Sequence, residues 1–159
     1  MSKEIERKFL VDFDRLALPE KGEKIKQGYI PVAKGTRTTV RVRVKGTEAY
    51  LTIKGENTGA ARAEYEYLIP LEEAEEILAE LCQKPFIEKT RYKIQIDAHV
   101  WEIDIFLGEN EGLTIAEIEL SKEDEIFTLP DWALEEVTDD NRYYNSNLIL
   151  NPFKNWGAT

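Results

Sequence analysis

The chain has 159 residues, a formal net charge of −10 and a charged fraction of 33%, against roughly 25% in an average soluble domain. This length predicts one domain, residues 1–159, and the negative charge argues against nucleic acid or an anionic membrane surface as a partner. Cys82 and His99 are the only residues of their types, which excludes an internal disulfide and a thiolate zinc site and leaves little for a Ser/His/acid triad.

The N-terminus lacks the basic and apolar regions of a signal peptide, and no apolar run approaches the ~18 residues of a membrane span. We therefore expect a soluble, cytoplasmic protein that does not enter a membrane. If the protein is an enzyme, its chemistry must come from carboxylates, lysine, arginine and a metal.

Most of the sequence alternates between apolar and charged residues with the period of two that is typical of strands. We predict eight strands, at about 3–11, 23–33, 36–46, 48–55, 60–69, 87–97, 99–107 and 113–121, with hairpin turns at 45–47 and 55–60. The sequence LEEAEEILAEL at 71–81 predicts an amphipathic helix, after which Cys82 is expected to be a packing residue. A shorter helix is predicted at about 142–150.

Eight strands joined by short turns tend to close, because closure removes the two open edges of a sheet. The predicted fold class is therefore mainly β (α+β): an eight-stranded closed antiparallel β-barrel with a few covering helices.

The charged residues fall on one face of nearly every predicted strand. In RVRVKG, for example, Arg41 and Arg43 alternate with Val40, Val42 and Val44. For any single doublet, an antiparallel sheet with its polar face in water is the ordinary explanation. A solvated face usually mixes charged and uncharged polar residues, however, whereas these doublets are separated by sign and recur along the chain.

If the sheet closes with this face inward, the lumen holds charges of both signs. The acidic residues are Glu4, Glu6, Glu64, Glu66, Glu102, Asp104, Glu117 and Glu119, and the basic residues are Lys8, Arg41, Arg43, Lys54, Lys89 and Arg91. Because each buried ion loses several kcal/mol of solvation, such a lumen must be wet, wide and built around charged ligands.

The residue types also indicate which ligands these are. Arginine and lysine bind phosphate oxygens, and carboxylates without histidine or cysteine select hard cations such as Mg²⁺ or Mn²⁺ rather than zinc. Together they predict a metal-complexed polyphosphate. Phosphoryl transfer depends mainly on charge neutralisation and alignment, so it does not need a Ser/His apparatus.

The opening EIERK, with Glu4, Glu6 and Lys8 two residues apart, resembles the ExExK signature of the CYTH superfamily, the triphosphate tunnel metalloenzymes. The resemblance continues in order through RVRVK, IKG, AEYEY, KTRYK, WEIDIF and AEIEL to EVTDDNRYYNSNL, and so covers nearly the whole chain. It implies an eight-stranded antiparallel barrel that forms a tunnel for a linear triphosphate and divalent metal.

Carried over by position, the resemblance implies roles for individual residues. The triphosphate would be held by Lys8, Arg41, Arg43, Lys54, Lys89 and Arg91. The metals, Mg²⁺ or Mn²⁺, would be held directly or through water by Glu4, Glu6, Glu64, Glu66, Asp104, Glu117 and Glu119. Glu102 shares their face without an assigned role.

The expected activity is hydrolysis of inorganic tripolyphosphate to pyrophosphate and phosphate. The alternatives are an adenylate cyclase, a thiamine triphosphatase, and a module that binds polyphosphate or a nucleotide without turnover. A sandwich with a solvated charged face is the structural alternative. Strands with apolar outer faces need cover from helices or a partner subunit, so the sequence leaves a homodimer open.

Three residues outside the motifs carry weaker expectations. Tyr29 is expected to be a packed strand residue rather than a tunnel-lining one, and His99 a surface residue. Arg142 lies in a segment, with Tyr143 and Tyr144, that we expect to close one mouth of the tunnel, where Arg142 could reach substrate.

Overall fold

The alternating segments form strands in the structure, a computed structural model that describes residues 3–56 and 60–157. The strands are β1 Lys3–Val11, β2 Glu23–Ile30, β3 Thr39–Lys45, β4 Glu48–Lys54, β5 Ala61–Ile69, β6 Ile87–Ile96, β7 His99–Phe106, β8 Thr114–Glu119 and β9 Ala133–Glu136. The helices are α1 Leu71–Glu80 and α2 Asn145–Leu150, with short 3₁₀ turns at Gly108–Asn110, Asn141–Tyr143 and Phe153–Asn155. The turn predicted at 55–60 lies partly outside the described residues.

The sheet closes on itself. Its strand order is β5-β4-β3-β2-β6-β7-β8-β1, all neighbours are antiparallel, and β1 returns to pair with β5. That closing contact is short, because only Lys3–Ile5 of β1 pairs with β5. The predicted eight-stranded closed antiparallel barrel is confirmed.

The ninth strand, β9, is absent from the sequence prediction. It extends the sheet along the far part of β1, where Phe9 pairs with Glu136 and Val11 with Ala133. Its four residues, ALEE, pair with one strand only and show no charge alternation of the kind that marks the other strands.

Two strand boundaries were predicted too generously. β2 ends at Ile30 rather than at 33, and β3 begins at Thr39 rather than at 36. Pro31 has no N–H to donate to a neighbouring strand, and Gly35 has a φ of +89°, which breaks an extended chain. The residues between β2 and β3 therefore form a loop.

Helix α1 covers the outer face of β2, β3 and β4. Ala74 and Leu78 of the helix, with Cys82 just after it, pack against Val42 of β3, so Cys82 is the packing residue that was predicted. The approach to β2 is close enough to require a glycine: a Cβ at Gly28 would lie 2.9 Å from both the Cβ of Cys82 and the Cδ2 of Leu78.

An aromatic cluster covers the outer face around β1, β7 and β8. Trp101, on β7, is fully buried, and its ring centroid lies 5.4 Å from that of Trp132 and 5.6 Å from that of Phe9. Arg7 also lies on this face: its Nε and Nη2 donate to Glu136 at 2.9 and 2.6 Å. This ion pair fastens β9 to β1.

Within the described part of the chain, no helix has the length and apolar character needed to cross a membrane.

Replacing Gly28 by alanine is expected to lower the free energy of unfolding by about 1–3 kcal/mol, because the added methyl group overpacks the contact with α1. Urea unfolding followed by circular dichroism measures this change. Lys24→Ala, at an exposed position of the same strand, is the matched control and should leave the free energy nearly unchanged. Equal stability of Gly28→Ala and wild type would contradict the close approach of α1.

Candidate active site

The barrel interior contains a cavity of about 230 Å³ that is lined almost wholly by polar and charged side chains. Every residue predicted to face the lumen lines this cavity except Asp104: the lining includes Glu4, Glu6, Lys8, Arg41, Arg43, Lys54, Glu64, Glu66, Lys89, Arg91, Glu102, Glu117 and Glu119. The strand alternation therefore placed these side chains on the correct face, and the charged face is turned inward.

Strand register sets opposite charges beside one another inside the barrel. Lys8 of β1 lies opposite Glu117 of β8, Lys54 of β4 opposite Glu64 of β5, and Arg91 of β6 opposite Asp104 of β7. Strand β1 carries both signs, with Glu4, Glu6 and Lys8, whereas the other strands of these pairs each supply one sign and meet the opposite sign on the neighbouring strand.

Lys8, in the N-terminal motif, and Lys54, beside it in the lumen, each lie between two carboxylates. Lys8 Nζ lies 2.7 Å from Glu6 and 2.9 Å from Glu117. Lys54 Nζ lies 3.0 Å from Glu4 and 3.5 Å from Glu64. The two lysines thus offset only part of the negative charge of the four carboxylates around them.

Asp104 holds two cations from behind the lining. Its carboxylate accepts two hydrogen bonds from Arg91, at 2.7 and 2.8 Å, and lies 2.8 Å from Lys89 Nζ. The side chain is fully buried. Burial alone would raise the pKa of Asp104, but Arg91 and Lys89 outweigh it and the pKa is lowered.

Four cations form a basic cluster: Arg41, Arg43, Lys89 and Arg91. The nearby carboxylates offset only part of its positive charge. Burial, reinforced by Arg41 and Arg91, lowers the pKa of Arg43 to about 9. Burial likewise lowers the pKa of Lys89 to about 7, because the repulsion of Arg91 and Arg43 adds to it and Asp104 offsets only part. A polyanion would relieve this repulsion.

Negative charge is in excess around a second group of side chains, the acidic cluster: Glu4, Glu6, Glu64 and Glu119. Burial and the surrounding carboxylates, Glu4 and Glu6 first among them, raise the pKa of Glu119. Burial would raise the pKa of Glu6 too, but Lys8 is so close that the pKa falls to about 2. The lumen is therefore polarised, with one region that favours anions and another that favours cations.

Residues 2–147 match the CYTH domain. The chain belongs to the CYTH domain family. It is 56% identical over 156 residues to an inorganic triphosphatase of Acetivibrio thermocellus, covering 98% of this chain and 99% of that protein. An inorganic triphosphatase of Nitrosomonas europaea is 38% identical, covering 92% and 97%. A solved structure of an inorganic triphosphatase superposes with a TM-score of 0.65 at 35% identity, covering 94% of this chain and 96% of that one.

The acidic cluster of this CYTH domain fits a hard divalent cation in its donor chemistry. All its donors are carboxylate oxygens, the ligands that Mg²⁺ and Mn²⁺ prefer, and the buried Glu4 Oε2 has Lys54 Nζ, at 3.0 Å, as its cation partner. Within residues 3–56 and 60–157, no three acidic, histidine or cysteine side chains are already gathered as metal ligands. Lys8 and Lys54 stand between the carboxylates instead.

The structure also places the residues that carried weaker expectations. Tyr29 packs with Ile87 and Phe106 as predicted, but it lines the cavity as well. Arg142 is not brought to the cavity: it is exposed and forms a bidentate pair with Asp140. His99 hydrogen-bonds to Glu125 on the outer surface.

Sequence reasoning missed two charged residues of the lining, Lys45 and Arg62, and the uncharged polar residues of the site. Those along the lining are Thr39, Thr138, Asn145 and Ser146, and Gln27 and Thr52 lie fully buried beside it. The segment at 142–146 does contribute to the wall, through Tyr144, Asn145 and Ser146.

Asp104→Asn is expected to lower the free energy of unfolding by about 3–5 kcal/mol, because it leaves Arg91 and Lys89 buried without their shared carboxylate. Urea unfolding measures the loss. Glu102→Gln is the matched control, since Glu102 meets the same Arg91 at 3.3 Å from a partly exposed position and should cost less than about 1 kcal/mol. Equal losses in the two variants would contradict the holding role of Asp104.

Proposed function

We propose that this protein is a divalent-metal-dependent triphosphatase that hydrolyses inorganic tripolyphosphate to pyrophosphate and phosphate. The observation that carries the proposal is the polarised lumen, in which a basic cluster and an acidic cluster face one cavity inside a closed barrel. The CYTH family membership and the two triphosphatase relatives support it.

The basic residues would bind the substrate. Arg41, Arg43, Lys89 and Arg91 present several N–H donors to one cavity, which suits the many oxygens of a triphosphate. Lys8 and Lys54 would exchange a carboxylate for a phosphoryl oxygen when substrate enters. Their positive charge would then neutralise the charge that develops on the leaving pyrophosphate as its P–O bond breaks.

Carboxylates of the lumen, among them the four that these lysines release, would hold the metal, Mg²⁺ or Mn²⁺. The residues proposed for this role are Glu4, Glu6, Glu64, Glu66, Glu117 and Glu119. A bound divalent cation would neutralise phosphoryl oxygens and lower the pKa of water that it binds. Asp104 was assigned to this set by resemblance, and its contacts with Arg91 and Lys89 favour a role in holding those cations instead.

A nucleoside triphosphate is a second candidate substrate. A cavity of about 610 Å³ adjoins the lumen and shares Tyr29, Thr39, Arg62, Tyr144 and Ser146 with it. This outer cavity offers room for a nucleoside whose triphosphate lies in the lumen. A cyclase would use the ribose 3′-hydroxyl as nucleophile, and a hydrolase would use water.

A location in the cytoplasm and assembly as a homodimer stay predictions from the sequence.

Purified protein is expected to release phosphate from tripolyphosphate with Mg²⁺ or Mn²⁺ and to stop when EDTA is added. Arg41→Ala, Lys54→Ala and Glu119→Gln should each lower kcat/KM by roughly 10²–10³, because each removes a charged group that contacts substrate or metal. A colorimetric phosphate assay across metals and substrates measures these effects.

Arg142→Ala is the control, since Arg142 lies outside the cavity, and it should retain wild-type activity. Intact tripolyphosphate after incubation of folded wild-type protein with either metal would refute the proposal. Cyclic AMP formed from ATP would support the cyclase, and hydrolysis of thiamine triphosphate in preference to tripolyphosphate would support the thiamine triphosphatase. Tight binding without turnover across the metals would support a binding module.

A further inference from the structure

Two neutral amides, Gln27 and Asn145, hold two cations of the basic cluster. Gln27 is fully buried on β2, and its Oε1 accepts a hydrogen bond of 2.7 Å from Arg43 Nε. Asn145 is the first residue of α2, and its Oδ1 accepts from Lys89 Nζ at 3.0 Å. The amides are joined, because Gln27 Nε2 donates to Asn145 Oδ1 at 3.2 Å.

The orientation of both amides is fixed by chemistry. Arginine and lysine side chains only donate hydrogen bonds, so Arg43 and Lys89 must each face an amide oxygen. Gln27 then directs its Nε2 to Asn145 and to the hydroxyl of Tyr29. This chain of contacts links the strand wall of the cavity to helix α2, whose Leu148 and Ile149 pack into the apolar cluster at that side.

The contacts leave donors free for a ligand. Lys89 has three N–H donors; one faces Asp104 and one Asn145, which fixes the direction of the third. Arg43 is held through Nε and makes no ion pair among the described residues, so its terminal N–H groups are left for the cavity that it lines. Lys8, Lys54, Lys89 and Arg91, by contrast, are each paired with at least one carboxylate.

We propose that Gln27 and Asn145 are positioning residues that orient Arg43 and Lys89 toward the triphosphate without adding negative charge beside them. The inference rests on the proposed function. A carboxylate in either place would also accept the hydrogen bond, but it would compete with phosphate for the same cation. A neutral acceptor fixes the geometry and leaves the attraction for the substrate.

The isosteric substitutions Asn145→Asp and Gln27→Glu test this inference. Each keeps shape and acceptor but adds a negative charge beside a cation, so each should raise KM for tripolyphosphate by about tenfold or more, with a smaller change in kcat. Asn145→Ala, which removes the acceptor without adding charge, should raise KM less than Asn145→Asp. Calorimetric titration with tripolyphosphate in EDTA should give the same ranking of Kd.

A merely structural role predicts the reverse order. If Asn145 served only to anchor α2, the aspartate would keep the contact with Lys89 and the alanine would be the more damaging change, in KM and in thermal stability alike. Asn151→Asp is the control for added charge, because Asn151 is exposed just after α2 and should behave as wild type.

The outcomes separate the inference from the function. Two results with an active wild type would overturn the inference alone. One is an unchanged KM and Kd in Asn145→Asp and Gln27→Glu. The other is a higher KM in Asn145→Ala than in Asn145→Asp. Wild type without turnover would refute the triphosphatase, and the Kd ranking would still decide the positioning role. Wild type with neither turnover nor binding would overturn both.

Discussion

The structure depends on the mutual neutralisation of carboxylates and cations inside a closed barrel. A lumen with charges of one sign would repel itself, and one with unpaired charges would lose several kcal/mol of solvation per ion. Strand register prevents both, because it sets Lys8 between Glu6 and Glu117 and Lys54 beside Glu4. Under the proposed function, ligand binding would exchange these ion pairs for contacts with phosphate and metal. A metal–polyphosphate complex carries both signs, so its phosphate can bind the lysines and its metal can bind the carboxylates of the broken ion pairs. A polyphosphate without metal would leave those carboxylates without a cation.

Turning the charges inward leaves the apolar residues outside, and the remaining elements serve as their cover. Helix α1 shields the face of β2, β3 and β4, and the residues around Phe127 and Trp132 shield that of β1, β7 and β8. Helix α2 packs at a third cluster, with Tyr29 and Ile87, and differs from the others in that Asn145 also reaches the cavity. Packing and ligand binding meet at this helix.

Strand alternation was enough to predict the barrel and the charged lining apart from Lys45 and Arg62, because a period of two assigns each side chain to a face whatever the strand order. It could not predict which cation meets which carboxylate, since that depends on register between strands far apart in sequence. Asp104 shows the limit: its parity is that of the lining, yet Arg91 and Lys89 enclose it. Gln27 and Asn145 escaped notice because an uncharged amide adds nothing to a charge pattern. β9 was missed because a four-residue strand with one partner has little periodicity to detect.

Strand β1 precedes every other strand of the barrel in the chain, yet it cannot complete its pairing until the later strands are present. β1 supplies Glu4, Glu6 and Lys8, yet its partners β8 and β9 lie near the other end of the chain, and the hydrogen bond from Lys8 to Glu117 spans 109 residues. Contacts of such separation form slowly, because the entropy of closing the intervening loop must be overcome first. On the ribosome the nascent barrel therefore stays open, with its charged strands in water, until β8 and β9 have emerged. The polarised lumen is complete only after that final closure.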